Sequence, residues 1–310
     1  MKILVTGGAG YIGSVLVPDL LSQGHEVTVI DNFMYKQTSL ASSIRNKNLN
    51  LIFGDVRDEA LLKQHLPKSD VIIPLAAIVG APACDSDPIA AQSINKDSIL
   101  WLLKQLSTSQ RIITPTTNSA YGSGDKNNFC NESSPLNPLS LYARDKVTVE
   151  KELMEHPGAT SFRLATVFGI SSRMRLDLLV NNFTYRAVTD GFVVVFEGHF
   201  KRNYIHVVDV VQAFNLALSN EKDFSGEIFN VGLSEANISK IELCREIQSI
   251  LPSFTYLEAA LGKDPDQRNY VVSNEKIEKF GFKPSVSLGN GLQELVKGLK
   301  MFSHKPFTNI

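Results

Sequence analysis

Three side chains in the middle of the sequence could together move a proton. Tyr142 and Lys146 lie four residues apart, so a helix would place both on one face. A free phenol has a pKa of about 10, and a nearby ammonium favours its phenolate. Thr117 follows a predicted strand, residues 111–114, at the edge where parallel sheets carry their chemistry. The set predicts a tyrosine base, with a lysine that supports it and a threonine that holds the reacting hydroxyl.

A glycine-rich turn lies between the first predicted strand and the first predicted helix. Gly8, Gly10 and Gly13 match the pattern G-x-G-x-x-G, and Gly7 begins the wider pattern G-x-x-G-x-x-G. A pyrophosphate needs such a bare backbone, and the helix that follows offers free N–H groups. Asp31, at the end of the second predicted strand, could accept bonds from both hydroxyls of the adenine ribose. The pattern therefore predicts NAD binding in preference to NADP.

Two later segments would reach the same cofactor. Asp55 follows the third predicted strand, where a carboxylate could bond the adenine amine, and small residues follow the fourth strand. The residues that we expect at the cofactor are Gly7, Gly10, Tyr11, Ile12, Asp31, Asn32, Asp55, Val56, Leu75, Ala76, Ala77, Tyr142 and Lys146.

Strand and helix patterns alternate through the first half of the chain. The predicted strands are residues 2–5, 26–30, 51–53, 71–74, 111–114 and 161–164, and the predicted helices are 11–22, 90–106 and 141–154. This alternation predicts an α/β fold with a doubly wound parallel sheet of the Rossmann type. After residue 166 the alternation weakens. We expect a nucleotide-binding domain at 1–166, to which residues 204–218 could return, and a smaller substrate domain at 167–310.

Composition and charge exclude several classes of protein. The 310 residues carry 31 basic and 32 acidic side chains without a basic block, which disfavours a nucleic-acid partner. No apolar run reaches transmembrane length and the first residues do not resemble a signal peptide, so we expect a cytoplasmic protein without a membrane partner. Cys84, Cys130 and Cys244 lack ligand spacing, and His206 has no partner at metal spacing, so we expect reduced thiols and no metal.

These motifs together resemble the extended short-chain dehydrogenase/reductases, within them the nucleotide-sugar epimerases, dehydratases and dehydrogenases. The resemblance spans nearly the whole chain and includes the glycine turn, Asn95, residues 117–122 and 142–146, and 202–210. It implies an oxidoreductase with bound NAD, a nucleotide-sugar substrate, and a homodimer through the helices at 90–106 and 141–154. The residues that it implies at the substrate are Asn118, Ser119, Thr166, Arg175, Asn181, Arg202 and Arg268.

The residues after Thr117 narrow the reaction. The 4,6-dehydratases of the family carry Thr-Asp-Glu, whereas this chain has Asn118 and Ser119, which disfavours loss of water. The 3,5-epimerases of the family need a cysteine near this segment as acid or base. Cys130 lies in a polar loop, so we interpret it as a free thiol without that role. Oxidation at C4 remains, either alone or as the first half of a 4-epimerisation. A silent NAD-binding protein is disfavoured, because both Tyr142 and Lys146 are present.

Some stretches resemble one bacterial branch more narrowly. Residues 73–82, 116–122 and 162–186 are similar to GDP-D-glycero-D-manno-heptose 4-dehydrogenases of capsular polysaccharide synthesis. This resemblance implies hydride transfer from C4 of a GDP-heptose to NAD. The alternative, an enzyme resembling UDP-glucose 4-epimerase, would use the same catalytic residues and stays open.

Overall fold

The computed structural model describes residues 1–122, 129–259 and 268–301. Its strands are β1 (Lys2–Thr6), β2 (Glu26–Asp31), β3 (Leu49–Phe53), β4 (Val71–Pro74), β5 (Arg111–Thr117), β6 (Phe129–Cys130), β7 (Ala159–Leu164), β8 (Thr166–Phe168), β9 (Phe192–Val195), β10 (Lys201–His206), β11 (Glu227–Val231), β12 (Asn237–Ser239), β13 (Thr255–Glu258) and β14 (Val271–Val272). Its helices are α1 (Gly13–Ser22), α2 (Glu59–His65), α3 (Ala81–Ser86), α4 (Pro88–Gln92), α5 (Ser98–Leu103), α6 (Leu141–Leu153), α7 (Leu179–Thr189), α8 (Val207–Ser219), α9 (Glu221–Phe224), α10 (Lys240–Ile250), α11 (Glu275–Lys279) and α12 (Leu288–Leu299).

Seven parallel strands form the central sheet. Their order is β11-β7-β5-β4-β1-β2-β3, and every neighbouring pair is parallel. The strands β1 and β4 at the centre of the sheet are mostly apolar, as expected where helices cover both faces. The winding reverses between β1 and β4, and ligands of such sheets bind at that point, beyond the carboxyl ends of the strands. The predicted doubly wound α/β fold is confirmed.

The sheet includes a strand that the sequence analysis missed. Glu227–Val231 (β11) pairs in register with β7, although it follows residue 166 by a long interval. In addition, α8 packs on α1, and Asn215 donates to Asp19 at 2.7 Å. The larger layer therefore uses segments from the second half of the chain. A boundary at residue 166 describes where the regular alternation stops, and the domain division itself stays a prediction.

The helix predicted at 90–106 is divided into three parts. Residues 88–92 (α4) and 98–103 (α5) are α-helical, and Ser93–Asp97 between them is π-helical. The prediction of one regular helix was therefore wrong in its detail. Inserted π turns are frequent at functional sites, because the wider turn changes the direction in which a side chain points.

The smaller part of the molecule lies beyond the carboxyl edge of the sheet. It contains a three-stranded sheet (β8, β10, β12), a pair of parallel strands (β9, β13), and α7, α10 and α12, which pack on one another. Within the ranges that the structure describes, no helix has the length and apolarity needed to cross a membrane.

Candidate active site

The glycine turn brings the backbone close to the loop after β4 at the sheet edge. Gly7 has a φ of +67°, and a Cβ atom there would lie 2.5 Å from the backbone N and Cα of Ala76. A Cβ on Gly13 would lie 2.4 Å from the carbonyl oxygen of Gly8. Gly10 donates its N–H to the Gly7 carbonyl at 3.0 Å. Only glycine fits at Gly7 and Gly13, so the turn presents bare backbone to the space outside β1 and β4.

Asp31 shapes the floor of this space. Its carboxylate accepts the N–H of Ala9 at 3.0 Å and the N–H of Phe33 at 2.8 Å. Burial raises the pKa of Asp31, and these two N–H groups together with the charge of Arg173 oppose the rise. The carboxylate therefore joins the glycine turn to the loop after β2, where a ribose of a dinucleotide would lie.

A cavity follows the carboxyl ends of β1, β2, β3 and β4. It brings together most of the residues predicted to bind the cofactor, and adds several that sequence reasoning missed. Its lining includes the predicted residues Gly7, Gly10, Asp31, Asn32, Asp55, Val56, Leu75, Ala76 and Ala77. The lining residues that were not predicted are Ile30, Met34, Tyr35, Gln37, Gly54, Ile78 and Ile94.

Asp55 carries its charge in this cavity. Its carboxylate forms a bidentate ion pair with Arg57, with both bonds at 2.8 Å, and accepts a hydrogen bond from the Asn32 amide at 3.2 Å. The bonds from Arg57 hold the pKa of Asp55 at about 2. A fixed, ionised acceptor at this position suits the expected bond to the exocyclic amine of adenine. That contact stays a prediction.

Two residues predicted at the cofactor have side chains that point elsewhere. The Tyr11 hydroxyl donates to the Gly169 carbonyl at 2.7 Å and accepts from Asn181 at 3.2 Å. Neither Tyr11 nor Ile12 lines the cavity. Any contact of these residues with a dinucleotide would therefore come from the backbone at the start of α1, where free N–H groups point outward.

The predicted catalytic residues converge at the end of β5. Thr117 is the last residue of that strand, and α6 packs against both β5 and the turn after it. Lys146 Nζ donates to the Pro115 carbonyl at 3.2 Å, two residues before Thr117. The Thr117 hydroxyl donates to Ser119 Oγ at 2.9 Å and accepts the N–H of Ser119 at 3.1 Å. Tyr142 lies one helical turn before Lys146, on the same face of α6.

Burial dominates the electrostatics of the tyrosine and the lysine. It raises the pKa of Tyr142 to about 12, and the positive charges of Arg175 and Arg268 oppose that rise. It lowers the pKa of Lys146 to about 8, opposed by the negative charge of Asp145. Perturbed titratable groups of this kind are typical of catalytic sites. Tyr142 and Lys146, which were also predicted at the cofactor, do not line the cavity at the ends of β1 to β4.

The π-helical segment places Asn95 under the cofactor cavity. The Asn95 amide accepts the N–H of Ile78 at 2.8 Å and donates to the carbonyl of the same residue at 2.7 Å. Ile78 lines the cavity and continues the loop after β4. This two-sided bond fixes the loop. The sequence marked Asn95 only through the family resemblance, because no spacing rule anticipates a π turn.

A second network, also missed from the sequence, lies behind the catalytic residues. Glu150 accepts from Thr116 at 3.0 Å, from Ser161 at 2.8 Å and from Arg163 at 2.7 Å. Arg163 also donates to the Tyr121 hydroxyl at 2.8 Å. All of these side chains are buried. The network joins α6, β5, β7 and the turn that carries Asn118 and Ser119.

The residues predicted at the substrate divide into two groups. Asn118, Ser119 and Arg268 lie beside Thr117, and Arg268 donates to Ser119 Oγ. Asn118 is fully buried, and neither atom of its amide has a hydrogen-bond partner among the residues that the structure describes. Asp266 and Gln267, which precede Arg268, lie outside the described residues. This group offers an amide, a hydroxyl and a cation next to Thr117.

The second group has more distant or internal contacts. Asn181 is fully buried, and its amide contacts the Gly169 N–H, the Tyr11 hydroxyl and the Arg175 carbonyl. This geometry gives Asn181 a role in holding the loop, while its expected substrate contact stays a prediction. Arg175 pairs with Asp177, Thr166 begins β8, and Arg202 is buried in β10. Among the described residues, no group of three or more His, Cys, Asp and Glu is arranged to hold a metal.

Known proteins with similar sequences agree with this geometry. UDP-glucuronic acid decarboxylase 1 of Arabidopsis thaliana is 29% identical, over 97% of this chain and 70% of its own length. UDP-glucose 4-epimerase of Corynebacterium glutamicum is 27% identical, over 92% of this chain and 91% of its own. Both are enzymes that act on a UDP-sugar, as their names state.

Solved structures give the same match. A UDP-glucuronic acid 4-epimerase from Bacillus cereus, in complex with UDP-glucuronic acid and NAD, has a TM-score of 0.83 at 25% identity, covering 97% of this chain and 99% of its own. A UDP-glucose 4-epimerase from Thermotoga maritima with UDP-glucose has a TM-score of 0.83 at 27% identity, with the same coverage.

NAD fits the cavity of this chain on its own evidence. The turn at Gly7 and Gly13 leaves no room for side chains, Asp31 lines the cavity at the end of β2, and the residues after β3 and β4 complete the lining. The predicted cofactor, NAD, is thereby confirmed, and the protein is an enzyme. The model of the NAD dependent epimerase/dehydratase family matches residues 3–232, so this chain belongs to that family.

Proposed function

We propose that this protein is an NAD-dependent nucleotide-sugar 4-epimerase. The observation that carries the proposal is the placement of Lys146 and Thr117 at the end of β5, with Tyr142 on the same face of α6 as Lys146. The 4-epimerases among the similar proteins support the same reaction. We therefore favour this alternative over net oxidation, which the sequence resemblance alone had placed first.

The residues of this chain would supply proton transfer and orientation. Tyr142 would take the proton of the C4 hydroxyl, and Thr117 would hold that hydroxyl by a hydrogen bond. NAD, held by the glycine turn and the residues that line the cavity, would supply a reversible hydride acceptor for C4 and a positive charge that favours the phenolate. Lys146 would add a hydrogen-bond donor beside Tyr142 and Thr117. The 4-keto sugar must then turn its other face before the proton and the hydride return.

The turn after β5 supports redox chemistry without loss of water. The two positions that follow Thr117 hold Asn118 and Ser119, neither of which can act as a strong acid or base. The Ser119 hydroxyl is hydrogen-bonded to Thr117 and Arg268. The buried amide of Asn118, which has no hydrogen-bond partner among the described residues, could hold a polar substituent of the sugar. Neutral groups at these positions would orient a substituent rather than eliminate it.

A second candidate is net oxidation at C4 of GDP-D-glycero-D-manno-heptose, in surface or capsular polysaccharide synthesis. The stretches 73–82, 116–122 and 162–186, which resemble enzymes of that reaction, favour it. Both candidates use the same three catalytic residues. They differ in the fate of the ketone, which an epimerase must keep and a dehydrogenase must release.

Product analysis of a nucleotide-sugar panel tests both candidates. The purified protein would be incubated with NAD and with UDP-glucose, UDP-glucuronic acid, GDP-mannose or GDP-heptose. An unchanged mass with a new stereoisomer on chromatography supports the epimerase. Loss of two hydrogens with stoichiometric NADH would overturn it in favour of the dehydrogenase.

Tyr142→Phe is the matched control for this assay. It removes only the hydroxyl, so we expect the variant to fold and to bind NAD while its turnover falls by about a thousandfold or more. Equal folding is checked by the melting temperature and by NAD binding. Full activity in this variant would contradict a tyrosine base.

The remaining proposals concern recognition and assembly. Arg202 and Arg268 are the proposed cations for the diphosphate of a nucleotide, GDP being the one that the resemblance favours, because a guanidinium matches phosphate geometry. A homodimer through α6 and the segment from α4 to α5 is also proposed. Light scattering after size-exclusion chromatography would measure its mass, and a monomer at micromolar concentration would reject the dimer.

A further inference from the structure

We infer that Arg173, packed on the ring of Tyr35, closes the NAD cavity and limits the rate at which the cofactor leaves. Neither residue belongs to the motifs that predicted cofactor binding. They lie in loops far apart in sequence, one after β2 and one after β8. Their contact joins the substrate side of the molecule to the cofactor side.

The loop that carries Arg173 is fastened across the glycine turn. Ser171 Oγ donates to the Tyr11 carbonyl at 2.9 Å and lies 2.6 Å from Ser14 Oγ. The Tyr11 hydroxyl donates to the Gly169 carbonyl at 2.7 Å. Ser14 and Ser171 are both buried. The segment is therefore fastened along the start of α1.

Arg173 follows in the same loop, close enough to Asp31 for its charge to act on that carboxylate. Its guanidinium lies 4.3 Å from the centroid of the Tyr35 ring, and the side chain is only 3% exposed. Asp31 itself lines the cavity floor. A desolvated guanidinium over an aromatic face is a comparatively strong contact. Because the Arg173–Tyr35 contact is buried, the loop cannot open without breaking it.

The loop of Tyr35 has a defined shape of its own. Phe33 and Lys36 are not glycine, yet they have φ values of +50° and +53°. The Phe33 N–H is held by Asp31, and the Lys36 N–H donates to the Phe33 carbonyl at 2.8 Å. This left-handed geometry costs energy and persists where neighbouring contacts enforce it. Tyr35 and Gln37 are thereby turned toward the cavity, where both are lining residues.

Closure of this kind matters for turnover if the proposed 4-epimerase activity is right, and to that extent the inference rests on the proposed function. An epimerase must return the hydride to the sugar that supplied it, so its cofactor should stay bound through many cycles. A net dehydrogenase must exchange its cofactor in every cycle. The Arg173–Tyr35 contact is the feature of this chain that would favour retention.

The dissociation rate of the cofactor tests the closure without any sugar. Protein loaded with NADH would be mixed with excess NAD, and the decay of bound NADH fluorescence would be followed. We expect Arg173→Met and Tyr35→Leu each to raise the rate by about tenfold, as expected for loss of a desolvated cation–π contact. The double variant should exceed the faster single variant by less than about threefold, since both remove the same contact.

Arg186→Met is the matched control, because Arg186 is an exposed arginine on α7 whose ion pair with Asp190 is long, at 3.7 Å. It should leave the rate unchanged. Melting temperatures would establish that each variant is folded. Unchanged dissociation in folded Arg173→Met and Tyr35→Leu would overturn the closure, and so would rapid exchange in the unaltered protein. Absence of an epimer in the sugar panel would instead reject the proposed reaction and leave these rates as they are.

Discussion

The charge state of Tyr142 depends on cations outside its own motif. Burial raises the pKa of this phenol to about 12, and the same burial lowers the pKa of Lys146 to about 8. Arg175 and Arg268, which come from distant parts of the chain, oppose the rise at Tyr142. The simple picture of one lysine that activates one tyrosine is therefore incomplete. Cations from the substrate side share that role.

Arg175→Gln tests this sharing through the pH dependence of turnover. A nearby positive charge favours the phenolate, so its removal should raise the pKa of Tyr142 further. The alkaline rise of kcat/KM should then move to higher pH, by about half a unit or more for a partly screened charge. The measurement is kcat/KM against pH, with Arg186→Gln as the control. A shift to lower pH would contradict the electrostatic role.

Asp31 provides a second prediction at the level of one residue. Its carboxylate accepts two backbone N–H groups and stands where a ribose would bind. Asp31→Asn keeps an acceptor but removes the charge that would repel a 2′-phosphate. We expect the ratio of NADP to NAD dissociation constants to fall by about tenfold, as for loss of roughly 1.4 kcal/mol. Titration with both cofactors measures it, and an unchanged ratio would reject the assigned contact.

At the level of elements, the catalytic helix is fixed by a residue outside the motif. Tyr142, Lys146 and Glu150 follow one another at intervals of four on α6, so they form one stripe. Glu150 bonds Thr116 on β5 and both Ser161 and Arg163 on β7. The stripe therefore sets the position of Tyr142 relative to Thr117, although Glu150 itself touches no reacting atom.

Glu150→Gln should separate this positioning role from stability. The amide cannot accept every bond that the carboxylate accepts, and it leaves the buried Arg163 charge poorly matched, which costs about 3 kcal/mol. We expect kcat to fall by about tenfold or more with little change in KM, since the loss of alignment acts on the reacting groups. Kinetics per folded molecule measure it. Glu152→Gln, exposed on the same helix, is the control, and a loss of stability without a loss of kcat would reject positioning.

The sheet could be predicted from the sequence because local patterns encode it, and similar local patterns marked the candidate catalytic residues, whose roles stay a prediction. Alternating strands and helices and the glycine turn depend on neighbours in the chain. The strand Glu227–Val231 was missed, since its place beside β7 is decided by packing between distant segments. Arg173 and Glu150 escaped for the same reason, and Asn95 was marked only by the family resemblance. Their partners, at Ile78, Tyr35 and Arg163, are visible only in three dimensions.

At the scale of the molecule, the C-terminal helix is tied back to the active site. Glu294 on α12 accepts the Ile170 N–H at 3.0 Å, in the loop that leads to Arg173. Asp209 at the start of α8 accepts the N–H and hydroxyl of Ser285 at 2.7 and 2.8 Å. Ser285 directly precedes the segment that enters α12. Helix α12 is thus linked to the cofactor loop through Glu294, and the segment that enters it is linked to α8 through Ser285.

Asp209→Asn tests whether this attachment stabilises the whole molecule. Asp209 is fully buried, and its second oxygen accepts the Val286 N–H at 3.2 Å, so an amide NH₂ would face a donor. A buried donor left without an acceptor should lower the free energy of unfolding by about 2 kcal/mol. Urea unfolding measures this change, with exposed Asp223→Asn as the control. Because α12 holds Ile170, NADH should also dissociate faster from the variant. A stable variant with normal dissociation would mean that the cofactor loop keeps its place without the C-terminal helix.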